Sequence, residues 1–206
     1  MENSRTTHWE QVYSEKADTE LSWHQEDPIV SLELFDLAGA TSQSSVIDVG
    51  GGTSCLSTRL MERGLRDVTV LDLSGAALAS AQRRLGPIGE SINWVVADIT
   101  SWEPARHYDI WHDRAAFHFL DDADDRAAYV DRLSRGLRPG GHAVIASFAT
   151  NGPKKCSGLP VMRYDPETLA NTLGGAFAPV AFRSHVHFTP WGSAQSFQYG
   201  LFQKHR

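Results

Sequence analysis

Among 206 residues there are only two cysteines, Cys55 and Cys156, far apart and without CxxC spacing. That excludes a disulfide framework or a zinc knuckle, and reduced thiols fit a cytoplasmic protein. No stretch approaches the roughly eighteen consecutive apolar residues needed to span a bilayer. The polar start, Met1 to Gln11, lacks the apolar core of a secretion signal, so the expected location is the cytoplasm, without membrane contact. There is no Lys/Arg-rich run, and the net charge of -6 offers no general attraction to phosphate backbones, which argues against a nucleic-acid partner. Repeats and low-complexity segments are absent too. What is present is an ordinary globular composition, 41% hydrophobic and 21% charged, enough to bury one core. The chain reads as one domain, 1–206.

From residue 45 onward, short Val/Ile-rich runs alternate with segments of helical period, the pattern of βαβ units around a buried parallel sheet. Strands are expected at 45–49, 67–71, 92–97, 108–112 and 142–148. Helices are expected at 55–63, 75–85 and 122–137. The last of these ends at Arg138-Pro139-Gly140-Gly141, a basic turn followed by helix breakers. Asp165-Pro166-Glu167 reads as the start of a short helix running to about Leu173. Strand-like runs at 181–188 and 195–203, joined by a Pro/Gly turn, form an expected antiparallel hairpin. Two helices at 7–16 and 28–38 precede the sheet and suggest a lid. The parts are then a helical lid (1–40), a cofactor-binding core (44–148) and a substrate-side loop, helix and hairpin (149–206).

The strongest motif is Asp48-Val49-Gly50-Gly51-Gly52, a strand running into a glycine turn and then a helix. Glycines allow a sharp turn and close backbone approach to a ligand, and a helix start offers free N–H groups. The third glycine of a dinucleotide motif is replaced by Cys55, and a phosphate loop is missing. Asp72, followed by Leu73, ends the second strand, where a carboxylate accepts hydrogen bonds from ribose hydroxyls. Asp98 follows the third strand, suited to an adenine amino group, with Ile99 to cover the ring. Each aspartate alone also reads as a loop cap. A nicotinamide dehydrogenase fits the first two features but not Asp98 or the terminal hairpin.

These features resemble the class I S-adenosylmethionine-dependent methyltransferases over nearly the whole chain. The turn from Leu137 through Pro139-Gly140-Gly141 into the fifth strand resembles that family's late motif. The resemblance implies a Rossmann-like, doubly wound seven-stranded α/β sheet, five strands parallel and the last two a hairpin. It implies S-adenosylmethionine as cofactor, S-adenosylhomocysteine as product, and Asp48 on the methionine amino group. Trp9, Tyr13 and Trp23 fall in the lid over the cofactor.

The acceptor side is less legible. His112, Asp113 and His118 are candidates to position or deprotonate an acceptor. Alternatively, Asp113 pairs with Arg114 while Phe117 and Phe119 pack under the lid. Lys154 and Lys155 flank Cys156 and offer to lower its thiol pKa, although a free cysteine also serves as a small hydrophobe. Trp191 either closes over the substrate or caps the hairpin. His185 and His187 alternate as two metal ligands would, but without a third ligand they read as structural and no metal is expected. The sequence around strand four differs from the Asn/Asp-Pro-Pro-Tyr/Phe motif of nucleobase methyltransferases. The lid resembles both the thiopurine and tellurite enzymes and the elongation-factor lysine methyltransferases. A small molecule with a soft heteroatom such as a thiol is the favoured acceptor, a protein lysine the alternative with the acidic run 121–125 as its rim, and a non-catalytic cofactor-binding module the third reading.

Overall fold

The computed structural model describes residues 4–206; Met1, Glu2 and Asn3, part of the expected lid segment, lie outside them. Helix α1 (Ser4–Glu15) and helix α2 (Ile29–Leu37) precede β1 (Ser45–Val49). The chain continues through α3 (Leu56–Glu62), β2 (Asp67–Asp72), α4 (Gly75–Leu85), β3 (Asn93–Val96) and β4 (Tyr108–Arg114). Then follow α5 (Ala123–Gly136), β5 (Leu137–Phe148), a two-stranded hairpin of β6 (Lys155–Cys156) and β7 (Leu159–Pro160), α6 (Pro166–Leu173), β8 (Phe177–Phe188) and β9 (Ala194–Lys204). Seven strands form one sheet in the order β3-β2-β1-β4-β5-β9-β8. The first five are mutually parallel, and β9 and β8 are antiparallel to their neighbours. This is the Rossmann-like sheet with a terminal hairpin that the alternating pattern predicts.

Because the central strands are covered on both faces, their side chains divide by parity. Val46, Val68 and Val70 pack with Phe35 of α2, Leu60 of α3 and Leu78 of α4. Ile47, Val49 and Leu71 pack on the other face with Tyr129 and Leu133 of α5 and Leu169 and Leu173 of α6. With β1 between β2 and β4, the chain order reverses at its carboxyl end, where an open α/β sheet leaves a crevice for ligands.

Three features depart most from the sequence reading. The fifth strand begins at Leu137, not at residue 142, with Leu137 opposite Tyr108 and an irregularity in register before Ile110. Gly140 accommodates that irregularity with φ +77°, so the Pro-Gly-Gly segment is a bulged strand start and not a free turn. The hairpin's first strand begins at Phe177, four residues earlier than expected. The loop after β5 folds on itself as β6–β7, a pairing two residues long that no hydrophobic alternation announces.

The lid is tied down through α4. Glu10 on α1 accepts hydrogen bonds from the N–H groups of Gly75 (2.5 Å) and Ala76 (3.2 Å), so a carboxylate from a distant helix caps the positive end of α4. Asp18 accepts from Ser80 (3.2 Å) and Arg84 (2.6 Å), and Arg84 also donates to the carbonyls of Thr53 and Ser54. Glu10→Ala is expected to cost about 1 kcal/mol of stability and to speed proteolytic cleavage around residues 16–20, as read from digestion time courses. Cleavage at the wild-type rate would show that Asp18 holds the lid unaided.

Candidate active site and cofactor cavity

The glycine turn is compressed against its surroundings. Gly50 has φ +65° and Gly52 φ +44°, the left-handed region where a Cβ is costly. The N–H groups of Gly50 and Gly51 both donate to the Leu71 carbonyl, at 2.7 and 3.3 Å, which ties the turn to the end of β2. A Cβ added at Gly50 would stand 2.3 Å from the Cβ of Ala116.

Three carboxylates surround this turn, each at a strand end. Asp72 is buried; one oxygen accepts from the Ser74 N–H at 2.8 Å. Burial, reinforced by the charge of Asp48, pushes its pKa up to about 7, against the pull of the N–H groups of Ser74, Gly52 and Leu73. Asp98 accepts from the N–H and hydroxyl of Thr100 (2.9 and 2.7 Å), and Arg5 on the lid lies 3.8 Å away while pairing with Asp125 at 2.9 Å. Asp48 meets Nδ1 of His112 at 2.7 Å, and Nε2 of that ring meets the Ser31 hydroxyl at 2.9 Å. The second oxygen of Asp48 is buried and has no hydrogen-bond partner.

Two adjoining cavities open at this strand edge. One is lined by Asp72, Leu73, Asp98 and Ile99 and also by Ala115, Phe119 and Cys156, together with Trp9, Tyr13 and Trp23 of the lid. The lid rings are in mutual contact, Trp9 with Trp23 at 5.7 Å, and Trp9 also meets Phe119 at 4.9 Å between centroids. The other is lined by Asp48, Gly51, Thr53, Ser54 and His112. Gly50, Trp23 and Arg114 line both. An orphaned, buried carboxylate oxygen beside a small polar cavity suits an ammonium group. A larger cavity with two aspartates and an apolar cover suits a nucleoside. Together they match a nucleoside joined to an amino acid, the composition of S-adenosylmethionine.

Residues 46–141 match the methyltransferase domain family. The stretch from β1 into the start of β5 is thus similar to a methyltransferase domain. It is 30% identical over 118 residues to malonyl-[acyl-carrier protein] O-methyltransferase 1 of Ilyobacter polytropus, covering 57% of this chain and 42% of that protein. It is 32% identical over 136 residues to trans-aconitate 2-methyltransferase of an Azoarcus species, covering 66% and 50%. The chain thus spans about half the length of the curated relatives it matches. A solved S-adenosylmethionine-dependent methyltransferase from Anabaena variabilis superposes with a TM-score of 0.77 at 16% identity, covering 100% of this chain and 96% of that one.

On the expected acceptor side the structure separates residues that the sequence groups. Asp113 is fully buried and lines neither cavity. Its carboxylate accepts from the N–H groups of Ala116 (3.0 Å) and Phe117 (3.0 Å) and from the Tyr129 hydroxyl (2.8 Å). It anchors the loop after β4 and forms no pair with Arg114. Phe117 packs beneath that loop on Tyr129 and Tyr164. His118 is buried against Phe148, and burial with the nearby Arg114 charge lowers its pKa to about 3, so it stays neutral. Trp191 is 62% exposed at the hairpin turn and outside both cavities. Cys156 does line the larger cavity, but burial pushes its thiol up to about 11, more than Ser22 and Arg114 draw it down. His187 Nε2 donates to the Ser22 carbonyl, 2.7 Å away, and no group of three or more His, Cys, Asp or Glu among the described residues is placed to hold a metal.

Asp113→Ala is therefore expected to act on stability first. It strands three buried donors, at a cost of roughly 3 kcal/mol, to be read from urea unfolding. Asp113→Asn, which keeps one acceptor, should lose less, and an undisturbed alanine variant would refute the anchoring role. Three contributors escaped the sequence: Ser31, which completes the Asp48–His112 chain, Glu10, and Arg114. Arg114 was visible only as a neighbour of Asp113, and nothing local marks it as a wall of both cavities.

Proposed function

We propose that this chain transfers the methyl group of S-adenosylmethionine to the carboxylate oxygen of a small acid held under the aromatic lid. In this reading Asp98 and Ile99 receive the adenine, Asp72 and Leu73 the ribose, and Asp48, oriented by His112, the methionine ammonium. The glycines Gly50, Gly51 and Gly52 let the backbone lie against the donor. When bound, S-adenosylmethionine supplies an electrophilic methyl on a positively charged sulfur.

The observation that carries the choice of acceptor is that the larger cavity has no histidine in its lining among the described residues, while its two aspartates, Asp72 and Asp98, are taken up by the donor in this reading. Both nitrogens of His112 are engaged, His118 is neutral and outside the cavity, Asp113 is fully used by its loop, and the Cys156 thiol is held protonated. An acceptor must then arrive already ionised. Carboxylic acids do so at neutral pH, with ordinary pKa values near ~4, whereas thiols near ~8.5 and lysine ammonium near ~10.4 do not. This shifts support away from the thiol favoured by the sequence. The names of the two relatives, an O-methyltransferase for a malonyl group and a methyltransferase for trans-aconitate, support the same class.

The test is to incubate labelled donor with source extract and to treat the products with mild alkali. Methyl esters release volatile labelled methanol, while methylated thiols and amines retain the label. Alkali-stable label on a small molecule would restore the thiol reading, and alkali-stable label on one protein band the lysine reading. Donor binding with no transfer would leave a cofactor-binding module.

A further inference from the structure

Arg114 is the last residue of β4, and its guanidinium is held on three sides. Nε donates to the Tyr199 hydroxyl at 3.0 Å, Nη1 to the Trp23 carbonyl at 2.9 Å, and the guanidinium carbon lies 4.7 Å from the centre of the Phe197 ring. Nη2 is buried and has no hydrogen-bond partner. Among the described residues no carboxylate lies within ion-pair distance of this side chain. A cation with a buried, unanswered donor is costly unless a ligand answers it. The next residue, Ala115, has φ +68°, the kind of backbone strain that persists where a site requires it.

We infer that Arg114 is the specificity-determining anchor for an anionic group on the acceptor, its free Nη2 binding the carboxylate that takes the methyl. The inference rests on the carboxylate reading above and adds the residue that selects it. Arg114, Gly50 and Trp23 line both cavities, so the guanidinium stands at the junction between the nucleoside and amino-acid ends, where the donor's sulfur falls. Two positive charges converge there, and an anion between them relieves both. The planar fork of arginine fixes one carboxylate oxygen and leaves the other to react. In the transfer, that oxygen's lone pair forms the O–CH3 bond as the CH3–S bond breaks, the bonding pair goes to sulfur, the sulfonium becomes a neutral thioether, and no proton moves.

One other carboxylate competes for Nη2, that of the donor's own methionine moiety. Two of the three supports of Arg114 favour the acceptor: Tyr199 and Phe197 belong to β9, as against Trp23 of the lid, and Cys156, which feels its charge, belongs to the hairpin after β5. Tyr199, Phe197 and Cys156 lie in the substrate-side part of the chain and not at the glycine turn.

The experiment has two arms. Protein-free extract is separated on an anion exchanger, and each fraction is offered to the wild-type protein with labelled donor. Acceptor activity is expected in the retained fraction, and activity confined to the flow-through would overturn the inference while leaving methyl transfer intact. In the second arm, Arg114→Met and Arg114→Lys are compared by calorimetry with S-adenosylhomocysteine and by transfer to the retained fraction. Arg114→Met is expected to raise KM for the acceptor about 30-fold, the loss of one charge-assisted contact, while the Kd for S-adenosylhomocysteine moves less than about threefold; Arg114→Lys should recover part of the loss. A Kd weakened as much as KM would put the donor's carboxylate on Arg114 and overturn the assignment. If Arg114→Met fails to fold, the lysine variant and the fractionation decide alone. Absence of any transfer by wild-type protein that binds the donor overturns the underlying reading and this one with it.

Discussion

Gly50→Val is expected to weaken S-adenosylmethionine binding by about two orders of magnitude and to destabilise the fold as well. The first cost is backbone: φ is +65° at this position, and a β-branched residue forced there carries roughly 1–3 kcal/mol of strain. The second is steric. The new Cβ would sit 2.3 Å from the Cβ of Ala116, which cannot retreat easily because the Asp113 carboxylate holds its N–H at 3.0 Å. Relief must come from moving the glycine turn itself, or the loop after β4, and both line the proposed donor site. Calorimetry with S-adenosylmethionine and urea unfolding together read the two effects. An affinity within about twofold of wild type would mean that the turn does not lie against the donor.

The contrast between Gly50 and Arg114 shows which parts of the site the sequence makes legible. Gly50, Asp72 and Asp98 each sit at the end of a strand whose hydrophobic run is readable by itself, so the strand pattern and the residue after it point together to the proposed cofactor side. The sheet was legible for the same reason, since covered central strands need continuous apolar runs. The acceptor side lacks such local grammar. Asp113 looks catalytic until Tyr129, sixteen residues later, is seen to donate to it. Ser31 reaches His112 across a separation of 81 residues, and Glu10 reaches Gly75 across 65. Histidine and cysteine near a strand end advertise chemistry in sequence, but burial decides whether they titrate, and burial is a property of the packed whole. For His118 and Cys156 it removes the very reactivity that their residue types suggest.

The same burial, acting on Asp72, predicts a pH dependence of donor binding. Its carboxyl is raised to about 7 by desolvation and by the nearby charge of Asp48, so between about pH 4 and pH 7 the folded protein retains a proton that the unfolded chain has lost. Stability from this residue is therefore present at low pH and declines as pH rises through that window. Asp113, raised by burial to about 6, acts in the same direction. Binding should run the other way: ribose hydroxyls donate to an ionised carboxylate, so S-adenosylmethionine should bind more tightly as pH rises from about 5.5 to 8, releasing a proton from Asp72 near neutrality. Asp72→Asn should lose about 1–3 kcal/mol of binding together with most of the pH slope, while no longer carrying the buried charge that weakens the fold above pH 7. Calorimetry in two buffers of different ionisation enthalpy, at about pH 6.5, counts the released protons directly. Affinity that is flat across this range, with no proton release by the wild type, would mean that the donor does not engage the ionised Asp72. The combination of slope and proton count thus separates a ribose-binding carboxylate from one that merely caps the start of α4, because the capping bond from Ser74 is already made without the donor.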